Sequence, residues 1–191
     1  MKVIVFLAWA SVFISSALAQ DPQVRVVAHP MLNLDDNWYL SFWSVSNIRS
    51  RSPDNTNIFV GIGYQASTWW TEFMVQQQWN RSSANITLEL RYQKRFTNKL
   101  SVYLEPAVFL NKKAFYEFVI IERPLWRRLS LGAETENVHQ AGKDVWAAGP
   151  RISFPIATPG KWKVNGAVAY RFRNTGQDEP RLYLGFTRRF P

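Results

Sequence analysis

Residues 69–79 read WWTEFMVQQQW, and this stretch alternates between a mostly apolar and a mostly polar set of side chains. The odd-numbered positions hold Trp, Thr, Phe, Val, Gln and Trp, whereas the even-numbered positions hold Trp, Glu, Met, Gln and Gln. A period of two indicates a β-strand, because successive side chains of a strand point to opposite faces. Ten residue steps span about 33 Å. A tilt of about 40° brings this strand to a height of about 25 Å, which suits the lipid-facing band of a membrane-spanning strand.

Nine further segments show a similar alternation, so the sequence predicts ten strands joined by short turns and by longer polar loops. We therefore predict an all-β chain with a single antiparallel up-and-down transmembrane β-barrel over residues 37–190; eight strands is the alternative count. Residues 20–36, which contain Pro22 and Pro30, are predicted to form an irregular N-terminal lead. The ten predicted strands are residues 37–48, 58–66, 69–79, 86–96, 100–110, 114–123, 127–137, 146–156, 162–172 and 181–190.

Residues 1–19 have the features of a cleaved secretory signal peptide. Lys2 is followed by an apolar run over residues 3–14, and Ala17-Leu18-Ala19 forms a small-x-small cleavage site before Gln20. The net charge of +9 could suggest a nucleic-acid partner. Export argues against such a partner, and so does the absence of any run of Lys and Arg longer than two residues. Anionic lipid or lipopolysaccharide is the partner that the positive charge favours.

Alternation alone does not decide which face of each strand points outward. A soluble periplasmic ligand-binding barrel of the lipocalin type would turn the apolar faces inward. Here the polar faces are rich in Gly and Ala, which suits a crowded lumen, and aromatic residues stand near the ends of the apolar faces. Amphipathic rings anchor at membrane interfaces, so we expect the apolar faces to point toward lipid. The predicted interface aromatics are Trp38, Trp69, Trp79, Tyr92, Trp146, Trp162 and Tyr170.

With these features the chain resembles small bacterial outer-membrane β-barrel proteins over residues 37–190. Many such proteins end in an alternating apolar strand with a final aromatic residue, which their assembly machinery recognises. Leu184, Phe186 and Phe190 fit that ending, whereas Arg188 interrupts it and Pro191 follows it. The resemblance implies the outer membrane of a Gram-negative bacterium, contact with its lipid and lipopolysaccharide, and insertion by the barrel-assembly machinery. It leaves the oligomeric state open.

Sequence motifs for catalysis or metal binding are scarce. The chain has no cysteine and two histidines, and it lacks the HExxH and Gly-rich phosphate motifs, so no metal, cofactor or catalytic residue is predicted. Outer-membrane lipid A 3-O-deacylases are barrels of similar length that carry His-x-Ser-Asn near the C-terminus. The similarly placed stretch here reads Arg171-Phe172-Arg173-Asn174, in which only the asparagine fits. A lipid A-modifying enzyme of deacylase-like architecture is therefore the first alternative, kept for its size and architecture.

Charged residues on the polar faces are the remaining signal. Acidic side chains dominate the third to seventh predicted strands and basic ones the last three, and isolated buried charges are costly, so the two groups should pair. A barrel this narrow leaves little free space. We expect a lumen closed by ion pairs, including Arg91 with Glu105, and a structural or adhesive role; passage of small solutes is the other interpretation. The predicted network comprises Glu72, Glu89, Arg91, Glu105, Glu117, Arg128, Glu134, Glu136, Arg151, Arg171 and Arg173.

Overall fold

The described part of the chain forms eleven β-strands that close into one barrel. The computed structural model describes residues 22–49, 52–79, 83–97, 100–126, 128–158, 162–176 and 178–191; the predicted signal peptide, residues 1–19, lies outside them. The strands are β1 (Gln23–Asn33), β2 (Trp38–Arg49), β3 (Ser52–Gln65), β4 (Trp69–Gln78), β5 (Ala84–Thr97), β6 (Leu100–Phe109), β7 (Ala114–Trp126), β8 (Leu129–Gln140), β9 (Lys143–Ala157), β10 (Lys163–Arg173) and β11 (Glu179–Phe190).

Strands that follow one another in the sequence pair antiparallel, and β1 and β11 close the barrel as a parallel pair. An up-and-down barrel with an odd number of strands needs one such pair, because its first and last strands run in the same direction. The parallel register extends from Gln23 opposite Arg181 to Leu32 opposite Phe190. The predicted all-β barrel is thus confirmed, and the parallel β1–β11 pair is a departure from the wholly antiparallel barrel that the sequence predicted. None of the described residues belongs to a helix long and apolar enough to cross a membrane.

The strand that was not predicted from the sequence is β1. The prediction of an irregular lead over residues 20–36 is wrong for Gln23–Asn33, and the barrel has eleven strands instead of about ten. Pro30 explains the error, because a proline inside an apolar run argues against a paired strand. In the structure, the register of β1 with β2 passes from Ala28 to Met31 without a pair between them. Pairing with β11 continues through this position and holds β1 in the sheet.

Polar faces line the inside of the barrel and apolar faces cover the outside. Glu72, Glu134 and Arg91 point inward and are 0%, 1% and 2% exposed, whereas Phe73 and Leu88 point outward and are 50% and 48% exposed. The lipocalin-like alternative requires the reverse arrangement and is wrong in this respect. Small residues on the inner faces leave room for the charged side chains; those that are buried include Ala107, Ala147, Ala167 and Ala169.

The two ends of the barrel are distinguished by the residues that lie there. Gln23 begins β1 at one end, which we call the Gln23 end, and the connections after β2, β4, β6, β8 and β10 lie at the same end. Phe190 finishes β11 at the opposite end, which we call the Phe190 end. The connections after β1, β3, β5, β7 and β9 lie there.

The seven aromatic residues predicted at membrane interfaces separate into two groups by strand position. Trp69 begins β4 and pairs with Tyr92 near the Phe190 end, whereas Trp79 directly follows β4 at the Gln23 end. The ring of Tyr64 bridges the first group, with centroids 5.1 Å from Trp38 and 5.7 Å from Trp69. The group toward the Phe190 end is Trp38, Trp69, Tyr92 and Trp162, and the group toward the Gln23 end is Trp79, Trp146 and Tyr170.

Candidate functional site

The first of two ion-pair clusters in the lumen is built around Arg91 on β5, and we call it the Arg91 cluster. Arg91 contacts the carboxylates of Glu72 on β4 and Glu89 on β5, and its Nε lies 3.6 Å from Glu105 Oε2 on β6. Its guanidinium carbon also lies 4.1 Å from the centre of the Trp43 ring. The predicted pairing of Arg91 with Glu105 is therefore present. One guanidinium offsets the mutual repulsion of two buried carboxylates, Glu72 and Glu89, and of the partly buried Glu105, whose side chain is 19% exposed.

A serine, a histidine and a carboxylate meet inside the Arg91 cluster, but not as a catalytic triad. His29 Nε2 lies 3.1 Å from Ser41 Oγ and 3.2 Å from Glu72 Oε1, so one ring nitrogen faces both groups. A triad needs the serine and the carboxylate on opposite nitrogens of the imidazole. Ser41 is fully buried and donates a 2.5 Å hydrogen bond to Glu72. These residues therefore hold the carboxylate of Glu72 in place and present no accessible nucleophile.

The second cluster is centred on Glu136 of β8, and we call it the Glu136 cluster. Arg25 of β1 lies 2.8 Å from Glu136 Oε1, and Arg171 and Arg181 each lie 2.6 Å from Glu136 Oε2. Glu179 lies 3.3 Å from Arg171 and 2.9 Å from Arg181, so the second carboxylate shares the same guanidiniums. These contacts connect β8 with β1, β10 and β11 across the lumen. They fill the half of the barrel at the Gln23 end.

Arg151 of β9 joins the Glu136 cluster to the middle of the lumen. Its guanidinium lies 2.6 Å from Glu134 and 2.9 Å from Glu122, and its central carbon lies 4.6 Å from the centre of the Tyr183 ring. The Tyr183 hydroxyl donates a hydrogen bond to Glu134. Arg171 Nε approaches the same carboxylate at 3.7 Å. Each charged group here has a partner of opposite charge, which is the condition for burying it.

Two of the predicted lumen residues lie elsewhere. Glu117 lies on the outward side of β7, because Phe118 is the residue that pairs with the inward-facing Glu105. The apolar Tyr116 and Phe118 face the lumen, so the polar and apolar faces of this strand are the reverse of those predicted. Arg128 is exposed in the turn before β8, outside the strand on which the prediction placed it. The predicted residues that form ion pairs in the two clusters are Glu72, Glu89, Arg91, Glu105, Glu134, Glu136, Arg151, Arg171 and Arg173.

Several residues of the clusters were not assigned from the sequence. Arg25 and His29 belong to β1, whose alternate positions 23, 25 and 29 carried the missed signal of an inward polar face. Arg49 and Glu179 contact each other just beyond the predicted strand boundaries. The residues missed by the sequence analysis are Arg25, His29, Arg49, Glu122, Glu179 and Tyr183.

The half of the lumen at the Phe190 end contains a cavity of about 830 Å³. Trp43, Trp70 and Tyr103 give it aromatic walls, and Lys163 and Arg189 lie among its lining residues near the ends of β10 and β11. The ion pairs of the Glu136 cluster cross the half of the lumen at the Gln23 end. The half at the Phe190 end therefore has space for a small molecule, next to a half that charged side chains occupy.

Neither a metal site in the described part of the chain nor a known protein family could be assigned. Among the described residues, no group of three or more His, Cys, Asp or Glu side chains is arranged to hold a metal ion. Arg171 and Arg173, which occupy the positions compared with the deacylase motif, are engaged in ion pairs with Glu136 and Glu179. No protein-family model matches the chain, and no match is found among curated proteins.

Proposed function

We propose that this chain is an integral outer-membrane β-barrel protein of a Gram-negative bacterium, exported by the signal peptide over residues 1–19. The observation that carries the proposal is the distribution of polarity across the barrel wall. Glu72 and Arg91 are buried inside, while Phe73, Leu88 and Leu90 are about half exposed outside. Hydrocarbon accepts such an outer surface, and a closed barrel leaves no sheet edge unpaired within it.

The two groups of aromatic residues support the same proposal. They lie toward opposite ends of the barrel, as the two interfacial girdles of a membrane barrel do. Between them the outer face of β4 presents Phe73 and Val75, which are 50% and 48% exposed. Lipid and lipopolysaccharide are the surrounding partners that follow from this proposal, with the barrel-assembly machinery as the insertion partner.

The closed half of the lumen favours a structural or adhesive role over free passage of solutes. Arg25, Arg171 and Arg181 converge on Glu136 and occupy the barrel at the Gln23 end. A pore would have to break several buried ion pairs, which is costly when charges lose their partners. We therefore propose a non-conducting barrel in its resting state.

Fractionation and gel mobility test the membrane proposal. The chain is expected in the outer-membrane fraction, and unheated samples in SDS should migrate differently from boiled ones, because a closed barrel resists the detergent. The unfolded control is Leu88→Pro, which removes a ladder hydrogen bond in β5. This variant should lose the difference in migration between unheated and boiled samples. Recovery of the wild type in the soluble periplasmic fraction alone would refute the proposal.

The resting barrel is expected to show no large, steady conductance in a planar lipid bilayer. Combining Arg91→Ser with Arg171→Ser should raise conductance and favour cations, because Glu72 and Glu136 each lose a guanidinium partner. The matched control combines Arg128→Ser with Lys143→Ser, which removes two exposed cations outside the clusters. Gel mobility verifies folding of each variant. A large wild-type conductance that the Arg91 and Arg171 replacements leave unchanged would show that the lumen is already open.

A further inference from the structure

The aromatic walls of the cavity are held in place by contacts with neighbouring side chains. The Trp43 ring is stacked on His29 at 3.6 Å between centroids and covered by the Arg91 guanidinium at 4.1 Å. Tyr103 donates a hydrogen bond to Glu105, and its ring centroid lies 6.2 Å from that of Trp70. Walls held in this way need little reordering when a ligand enters, which favours binding. The volume of about 830 Å³ falls within the range of about 300–1,000 Å³ typical of small-molecule sites.

Lys163 and Arg189 are two cations that line this cavity. Within the described residues, neither Lys163 nor Arg189 lies at ion-pair distance from an acidic side chain, and Arg189 donates a hydrogen bond to Gln65 instead. Glu122, the acidic residue that lines the cavity, is engaged by Arg151 at 2.9 Å. The net charge facing the cavity is therefore positive.

Lys163 and Arg189 are diagonal neighbours on the inner face of β10 and β11. Lys163 pairs with Thr187 across the β10–β11 ladder, and Arg189 is two residues further along the same face of β11. Such diagonal neighbours lie about 7–8 Å apart at the backbone, within reach of two long side chains. Their ends can therefore converge on the two oxygens of one acidic group.

Two acidic residues, Asp35 and Asp36, follow β1 at the Phe190 end. The Asp35 carboxylate accepts hydrogen bonds from the backbone N–H groups of Trp38 and Asn37 at 2.7 and 2.8 Å, which hold its pKa below the usual range. The hydrogen bonds of the Asp35 carboxylate are therefore made within the turn that follows β1.

We infer that the cavity at the Phe190 end binds a small organic anion with an apolar body. The apolar body lies between Trp43, Trp70 and Tyr103, and the acidic group faces Lys163 and Arg189. The site depends on the lumen alone, so it stands or falls separately from the proposed membrane location. It gives the otherwise closed barrel a ligand-binding function at one end.

Equilibrium dialysis of the folded full chain against three naphthalene probes tests this inference. 2-Naphthoate, 2-naphthylmethanol and 2-naphthylmethylammonium share an apolar body and differ in charge; retention by empty nonionic micelles is subtracted. The anion should bind about tenfold more tightly than the alcohol, since two partly exposed ion pairs contribute up to about fivefold each. The ammonium probe should bind more weakly than the alcohol. Equal retention of all three, or no retention beyond that of empty micelles, overturns the inference.

Two sets of variants locate the binding site. Combining Lys163→Gln with Arg189→Gln should weaken naphthoate binding about tenfold and change alcohol binding less than about twofold. Combining Lys113→Gln with Lys143→Gln removes two exposed cations at the Gln23 end and should leave both affinities unchanged. Trp70→Ala should weaken binding of both probes, because they share the aromatic wall.

Gel mobility without boiling first establishes that each variant is folded. If the double glutamine variant does not fold, its two single variants are measured instead, since both side chains are exposed. A folded double variant, or two folded single variants, with the wild-type affinity for naphthoate would rule out the proposed cation pair.

Discussion

Replacing Glu136 by glutamine is expected to lower the free energy of unfolding by about 3–5 kcal/mol, the cost of breaking a buried ion pair from one side. Arg25 loses its carboxylate partner at 2.8 Å, while Arg171 and Arg181 each lose a 2.6 Å contact and retain Glu179. Glutamine preserves the size of the side chain, so the change in the free energy of unfolding measures the loss of charge and not a change in packing. Urea titration of the barrel folded in liposomes, followed by tryptophan fluorescence, measures the difference.

Glu117→Gln is the matched control for this change. Glu117 lies on the outward side of the neighbouring strand, its side chain is 41% exposed, and its contact with His139 is 3.6 Å long. The same chemical change should cost less than about 1 kcal/mol there. Adding Arg25→Gln to the Glu136 variant should cost less than the sum of the two single changes, because the partners are coupled. Equal costs at positions 136 and 117 would mean that the lumen cluster contributes no more than a surface ion pair.

The period-two pattern was sufficient to predict a barrel and most of its strands, but not the pair of strands that closes it. The ten predicted segments overlap β2 to β11, because most of those strands place polar side chains in the lumen and apolar side chains on the exterior. β1 is stabilised by its parallel pairing with β11, which joins Gln23 to Arg181. A contact between residues so far apart leaves no local pattern, and Pro30 weakened the local signal further.

Pairing across one hairpin was predictable, whereas pairing across the lumen was not. Arg91 and Glu105 lie on strands joined by a short turn. Counting from that turn predicts that the residue numbers of two paired positions sum to about 195. The observed sum is 196, as for Glu89 opposite Ala107. Arg25 meets Glu136 across the barrel. That contact depends on barrel diameter and strand stagger, which alternation does not specify.

β7 shows why face assignment from the sequence fails where both faces are apolar. Phe118 and Ile120 share one face, while Val119 and Ile121 share the other, so Glu117 alone decided the predicted orientation. In the structure Glu117 lies on the outer face of β7, where Ile121 is 46% exposed. The inner face then supplies Ile120 to the wall of the cavity, so the same ambiguity hid part of the candidate binding site.

Replacing Phe73 by arginine is expected to destabilise the barrel in liposomes by about 2–4 kcal/mol, because a cation near the middle of the lipid-facing band must leave hydrocarbon or deform the bilayer. Phe73 is 50% exposed on the outer face of β4, between Trp69 and Trp79 at opposite ends of the strand. This change leaves the two ion-pair clusters in the lumen intact. The change in the free energy of unfolding therefore depends on whether lipid or water surrounds the outer face. Urea titration of the liposome-folded protein measures it.

Gln77→Arg is the matched control, since Gln77 lies on the same face of β4 and one residue from the end of the strand. Near the interface the same arginine should cost about 0–1 kcal/mol. In a water-surrounded barrel the exposed Phe73→Arg change would stay within about 0.5 kcal/mol, as surface substitutions usually do. The difference between positions 73 and 77 therefore separates a lipid environment from an aqueous one. Equal and small costs at both positions would contradict the proposed orientation of the outer face toward lipid.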